Sequence, residues 1–275
     1  MKRMRQIFDR WTEDDVKYLS QYGIKVKTGK VMLFEIEEGE NYNKVRKYLE
    51  NKWKNTHALS YRDIFFYKYS QEDIDAAEYF IFTGHQCCGY PQPASDMKYM
   101  SLCFDAEKFC WSCGCGRIQT NDLRVNKLSR HGFWSYCAWI YDQFFVNEKI
   151  YNEVFAPYGI EKRAVIKGGK VLEDVFQLVI PVIDEPLDLT GRKHWLCPDC
   201  NNIKYDIVHR DYPFFPLHEH PLPCIYKTKE FFGTGPREWD ASRVIIISKD
   251  IVNKLLKSKD LKKEWLIPCR HKESK

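Results

Sequence analysis

At 275 residues the chain can form one large domain or two smaller ones, and its 44% hydrophobic and 15% aromatic content excludes a disordered chain. Its 43 basic and 38 acidic residues leave a net charge of +5, too mild an excess to demand nucleic acid or an anionic membrane as partner. Met1-Lys2-Arg3-Met4-Arg5-Gln6 leads into charged sequence and not into an apolar stretch, and the longest apolar run near the end, Val244-Ile245-Ile246-Ile247, is far too short to span a bilayer. The expectation is a cytoplasmic protein with no membrane partner. Eleven cysteines, an odd number on a chain without a secretory signal, read as reduced thiols plus a metal site and not as a disulfide framework.

Residues 1–30 are polar and charged and show no clear periodicity. Val31 to Ile36 reads as a strand and Glu38 to Asn41 as a turn. Val45, Tyr48, Leu49 and Trp53 fall at helical spacing, which predicts an amphipathic helix from Tyr42 to Trp53. Asp63 to Tyr67 reads as a strand, Ser70 as the N-cap of a short helix with acids in its first turn, and Tyr79 to Phe82 as another strand. Gln177 to Ile183 reads as a strand interrupted by Pro181, which predicts an edge position. Residues 213–223 carry four prolines and read as loop, Gly233 to Pro236 as a turn, and the basic tail from Arg270 as frayed.

Two Cys-x-x-Cys pairs carry the chemistry: Cys110-Trp111-Ser112-Cys113, followed by Gly114, and Cys197-Pro198-Asp199-Cys200. A two-residue spacer lets both thiolates of a pair bind one ion, and two pairs make the four-cysteine set of a structural zinc site. Four protein ligands leave no open position for substrate, which points away from catalysis. Gly114 and Gly116 suit a tight knuckle, and Asn201, where many knuckles use glycine, tolerates the same left-handed conformation. Cys115 is a substitute for Cys110 as the partner of Cys113, since spacer length alone decides between them.

Residues 144–166 and 245–267 share a grammar. Aligned without a gap, each has a strand ending at a capping residue, Asn147 or Ser248, then a short helix with apolar pairs at i,i+4, then a second strand. The helix pairs are Ile150/Val154 and Tyr151/Phe155 in the first copy and Ile251/Leu255 and Val252/Leu256 in the second. The alignment sets Lys162 against Lys263 and Ile166 against Ile267, and reads as an internal duplication.

His218 and His220 at i,i+2 offer two imidazoles from one side of an extended segment, although Pro216 and Pro221 make an exposed loop the plainer reading. His85-Gln86-Cys87-Cys88-Gly89 is a further half-site, for which a turn with buried thiols is the stronger reading. Cys137 and His131 could form a nucleophilic pair, but no nucleophile elbow, phosphate loop or metalloprotease helix is present. Lys254, Lys257, Lys259, Lys262 and Lys263 are interrupted by Asp250, Asp260 and Glu264 and read as a solvated face.

With both knuckles placed, the chain resembles the double-CXXCG motif family of bacterial proteins, which includes immunity proteins that protect a cell from toxins delivered by its neighbours. The motif residues are Cys110-Trp111-Ser112-Cys113-Gly114 and Cys197-Pro198-Asp199-Cys200, with Asn201 in place of the second glycine. Ser242 to Ser248 with its following helix and strand is also similar to the end of such proteins, so the likeness spans roughly 105–270. The resemblance implies a zinc-binding scaffold and a protein partner, a toxin in the immunity case. The expected architecture is α+β, with mixed sheets, short helices and two zinc knuckles joining duplicated halves: an N-terminal α+β region over 1–100 and a zinc-knuckle region over 101–275. The expected function is a non-enzymatic, zinc-binding interaction module, with a zinc-ribbon-like nucleic-acid binder and an enzyme with an unrecognised site as the alternatives.

Overall fold

The computed structural model describes residues 1–54, 63–82, 87–128, 132–134, 136–206, 214–219, 222–259 and 261–271. The architecture is α+β, with mixed sheets and short helices, in two compact units.

The first unit runs from Met1 to Ala76. Its antiparallel sheet places β1 (Lys2–Arg10) between β2 (Val31–Glu37) and β3 (Asp63–Lys68). Helix α1 (Glu13–Ser20) starts at a capping box between Thr12 and Asp15. Helix α2 (Glu40–Trp53) buries Tyr42, Val45, Leu49 and Trp53 against Ile7, Trp11 and Phe34, the face that the sequence periodicity predicts. Helix α3 (Gln71–Ala76) begins after Ser70, whose hydroxyl accepts from the Asp73 N–H while the Asp73 carboxylate accepts from the Ser70 N–H. Lys52 ties this core together, with Nζ 2.6 Å from Asp15 and 3.1 Å from Asp9, and Asp9 also accepts from the Trp53 indole at 2.8 Å.

The unit boundary falls at Ala76, whereas the sequence expectation ran the N-terminal region to residue 100. The physical reason is β4 (Tyr79–Phe82), a middle strand of the second unit's sheets. That unit contains β5 (Leu123–Val125), β6 (Phe133–Trp134), β7 (Phe145–Asn147), β8 (Lys162–Lys167), β9 (Lys170–Leu178), β10 (His194–Leu196), β11 (Ile203–Asp206), β12 (Phe215–Pro216), β13 (Ile225–Lys227), β14 (Phe231–Gly233), β15 (Ile245–Ser248) and β16 (Leu266–Arg270). Helix α4 (Tyr99–Cys103) precedes the first knuckle. The turn α5 (Glu148–Ile150) runs into a π turn over Tyr151–Phe155, and α6 (Lys249–Lys257) is its regular counterpart.

Two five-stranded sheets have the same plan. One is ordered β5-β8-β9-β7-β6 and the other β12-β16-β4-β15-β13. In each, the first pair is parallel and the remaining three are antiparallel. The registers correspond residue for residue. Phe133 faces Val146 as Ile225 faces Ile247, Phe145 faces Gln177 as Ile246 faces Ile81, and Leu123 faces Val165 as Phe215 faces Cys269. Each sequence repeat therefore runs from a middle strand through a cysteine knuckle to strand–helix–strand. The middle strands are exchanged: β9, at the start of the second repeat, completes the first repeat's sheet, and β4, at the start of the first, completes the second's.

Four expectations change here. Gln177 and Leu178 end β9, a central strand and not an edge, and Pro181 lies beyond it, where its carbonyl accepts from the Lys227 N–H at 2.7 Å. The gapless alignment holds through the helices, but the connection from Ser248 to β16 is three residues longer than that from Asn147 to β8, so Lys162 corresponds to Leu266 and not to Lys263. Asn147 caps its helix by accepting from the Ile150 N–H at 2.8 Å, whereas Ser248 sits at the N-cap without a side-chain bond. Of the proline-rich 213–223 segment, the described residues are loop except Phe215–Pro216, which forms β12.

Candidate metal centre

The two knuckles fold alike because each turn closes on itself. The Cys110 N–H donates to the Cys115 carbonyl at 2.9 Å, and the Gly114 N–H to the Cys110 carbonyl at 2.8 Å. In the second knuckle the Cys197 N–H donates to the Asn202 carbonyl at 3.0 Å, and the Asn201 N–H to the Cys197 carbonyl at 2.9 Å. Gly114 (φ 79°) and Asn201 (φ 58°) take the same left-handed turn after the second cysteine, as the sequence comparison of Gly with Asn predicts. Gly116 is constrained further, since a Cβ there would collide with the Lys108 carbonyl oxygen.

These turns bring Cys110, Cys113, Cys197 and Cys200 together with all four sulfurs within 4.8 Å of one another, a group that could hold a metal ion. Equivalent residues meet across the repeats, Cys110 Sγ lying 3.9 Å from Cys197 Sγ and Cys113 Sγ 3.7 Å from Cys200 Sγ. Four sulfurs placed tetrahedrally at about 2.3 Å from one zinc ion stand about 3.8 Å apart, so the observed edges suit that donor set. Cys113 and Cys197 are buried, Cys110 and Cys200 half-buried, and Ala241 closes the inner side. Cys115 is buried beside the four but is not a member of the group. Its carbonyl accepts from the Cys110 N–H in closing the knuckle, and the pair of the first knuckle in the four-sulfur group is Cys110 and Cys113.

The environment acts unequally on the sulfurs. Burial pushes the Cys113 thiol up. At Cys197 burial acts the same way, but the N–H groups of Asp199 and Cys200 directed at its sulfur outweigh it and bring the thiol down to about 7. The Asn202 side-chain amide donates to Cys200 Sγ at 3.3 Å. Four thiolates around a divalent ion carry about −2, and amide donors offset part of that charge.

Four residues after the second cysteine of each knuckle stands a cation, Arg117 or Lys204. Both grip the same segment over the sulfurs: Arg117 Nη2 donates to the Ala241 carbonyl, while Lys204 Nζ donates to the Glu238 carbonyl and pairs with Asp240 at 2.9 Å. The chain matches no protein-family model and no curated protein.

The other sequence candidates do not join this centre. His218 is buried, with Nδ1 3.2 Å from the Tyr226 hydroxyl and Nε2 3.0 Å from the Glu185 carbonyl, so both ring nitrogens are engaged. His220, His85 and His131 lie outside the described residues. Cys88 and Cys137 are buried, and burial pushes the Cys88 thiol far up, a structural and not a nucleophilic setting. Lys254 and Lys262 lie over the rings of Tyr158 and Trp265. Among the described residues no helix is long and apolar enough to cross a membrane. The buried charges Asp142 and Lys227 carry no sequence signal, because no motif surrounds either one.

Proposed function

We propose that the chain is a non-enzymatic protein-interaction module in which one zinc ion, held by Cys110, Cys113, Cys197 and Cys200, staples the two repeats. The observation that carries the metal assignment is the agreement of the 3.9 and 3.7 Å sulfur separations with the edge of a zinc tetrahedron. All four positions are taken by protein, so the ion is structural: it crosslinks segments 87 residues apart in sequence and offsets chain entropy in a loop-rich unit.

A protein partner is supported by aromatic side chains left in solvent. Trp111, Trp139, Tyr141 and Tyr90 are 53, 37, 48 and 48% exposed, and Tyr90 packs edge-on to Trp139 at 4.9 Å. Trp139 sits at φ 68°, a conformation that costs a bulky residue energy. Exposed Trp and Tyr are the usual anchors of protein interfaces. Together with the resemblance to the double-CXXCG family, this favours a toxin-neutralising role. The test is co-expression with a toxin encoded beside this gene. A stable complex that Trp139→Ala and Tyr141→Ala weaken at least tenfold, with host protection lost in step, supports the role; full protection without complex formation, or an unaltered complex in both variants, contradicts it.

A further inference from the structure

A cavity of about 240 Å³ lies where the two repeats meet, and its lining is unusual in charge: Arg117, Arg163, Lys227 and Arg243 face it with Asp142 as the one acid among the described lining residues. We propose that this cavity is a binding site for a small oxyanion, a carboxylate or a phosphate ester, distinct from the cysteine centre.

The first support is uncompensated charge. Lys227 is 8% exposed, and among the described residues its ammonium makes no hydrogen bond or ion pair; the Arg163 guanidinium also has neither. Asp142 is shared between Arg117, 3.9 Å from its carboxylate, and the Arg243 backbone N–H at 3.5 Å. The two guanidiniums are held by carbonyls, Arg117 by Trp139 and Ala241 and Arg243 by Thr228 and Lys229. Carbonyls orient these groups and satisfy their N–H bonds, but they do not neutralise them. An excess of about three positive charges in a partly desolvated cavity is costly unless an anion enters. Burial, and then repulsion from Arg117, Arg243 and Arg163, lowers the Lys227 ammonium against the pull of Asp142.

The second support is that the fold does not require these groups. Arg163 faces Gln177 across β8 and β9, and the register-equivalent pair in the other sheet is Ile267 facing Ile81. The same frame tolerates an apolar pair at these positions, so polarity in one sheet has a cause other than folding. The surrounding wall is neutral and fixed: the Gln177 amide donates to Gln143 at 2.7 Å, and Gln119 and Gln177 are joined at 2.9 Å. Phe104, Leu178 and Ile180 make the remaining wall apolar. The volume is below that of a drug-sized pocket, which suits a compact anion with a short hydrocarbon body, and Lys227 and the Arg117 side chain are buried where the flat face of a macromolecule would not reach them.

Titration calorimetry and thermal unfolding of the full chain test this, using inorganic phosphate, succinate and citrate against chloride at matched ionic strength. At least one probe should bind stoichiometrically and raise the melting temperature, phosphate alone indicating a phosphate ligand and succinate or citrate a carboxylate. Arg163→Gln and Lys227→Met should each weaken that binding at least tenfold. Arg163 makes no bond that the fold needs, so Arg163→Gln keeps the test valid if Lys227→Met misfolds. The proposal is overturned if no probe exceeds the chloride control, or if folded Arg163→Gln binds as tightly as the wild type.

Discussion

The two five-stranded sheets have one topology and one register but different walls. The sheet centred on β4 places Ile81, Ile246 and Ile267 side by side, whereas the sheet centred on β9 places Gln177, Phe145 and Arg163 at the corresponding points. What both keep is the ladder order, the capped strand–helix–strand and a Cys-x-x-Cys knuckle that turns through a left-handed residue. What differs is charge at the cavity. The shared features are those that backbone pairing and metal ligation demand, and the unshared ones are free to bind something.

Several perturbations sharpen that comparison. The largest effect is expected at the shared centre. Cys113→Ser and Cys200→Ser should lose the metal and several kcal/mol of stability, since structural zinc contributes about 10–16 kcal/mol of apparent binding energy to small metal-dependent folds. Cys115→Ser should keep the metal, and melting curves with metal analysis separate the two outcomes. Metal removal should leave the cysteine-free unit from Met1 to Ala76 folded, which amide exchange resolves.

Next come the exchanged middle strands. Phe80→Ala, in β4, removes a side chain 1% exposed and should cost about 3–5 kcal/mol. Phe176→Ala, at the equivalent register in β9, removes a half-buried ring and should cost clearly less by denaturant titration. Equal costs would contradict the difference in burial drawn between these two register-equivalent positions.

Asp142→Asn strikes the charge at the cavity. It leaves the cavity's cations without their acid and should destabilise by about 3 kcal/mol at pH 7 while tightening anion binding. Burial alone would raise the Asp142 carboxyl, but Lys227, Arg117 and Arg243 hold it below the ordinary value. Its contribution is therefore complete above about pH 4 and is lost as pH falls through the lower folded value. The stability gap between wild type and Asp142→Asn should close over that acid range, and a gap constant with pH would contradict the pairing.

The smallest effect is expected from exchanging the knuckle residues. Asn201→Gly should change stability by less than about 1 kcal/mol and retain the metal, because both residues reach the left-handed turn.

Much of the site was legible because its signal is local. A two-residue spacer and a turn-forming neighbour mark each knuckle, and apolar pairs at i,i+4 mark both strand–helix–strand segments. Helix α2 and strands β2, β3 and β4 were read for the same reason. Strand β1 escaped because its sequence is charged and it is held by its neighbours, Lys2 pairing with Glu37 and Arg5 with Glu38. The strand exchange was invisible because Ile81 pairs with Ile267, and no periodicity within a segment states a partner so distant. The cavity was invisible because its four cations come from four separate stretches that only the packed repeats assemble.

The central claim is that one metal ion joins the two repeats through four sulfurs. Zinc-edge X-ray absorption on protein purified without chelator tests it most directly. The expected result is one zinc per chain with four sulfur neighbours at about 2.3 Å. Folded protein without metal, or a zinc sphere completed by nitrogen or oxygen, would contradict it.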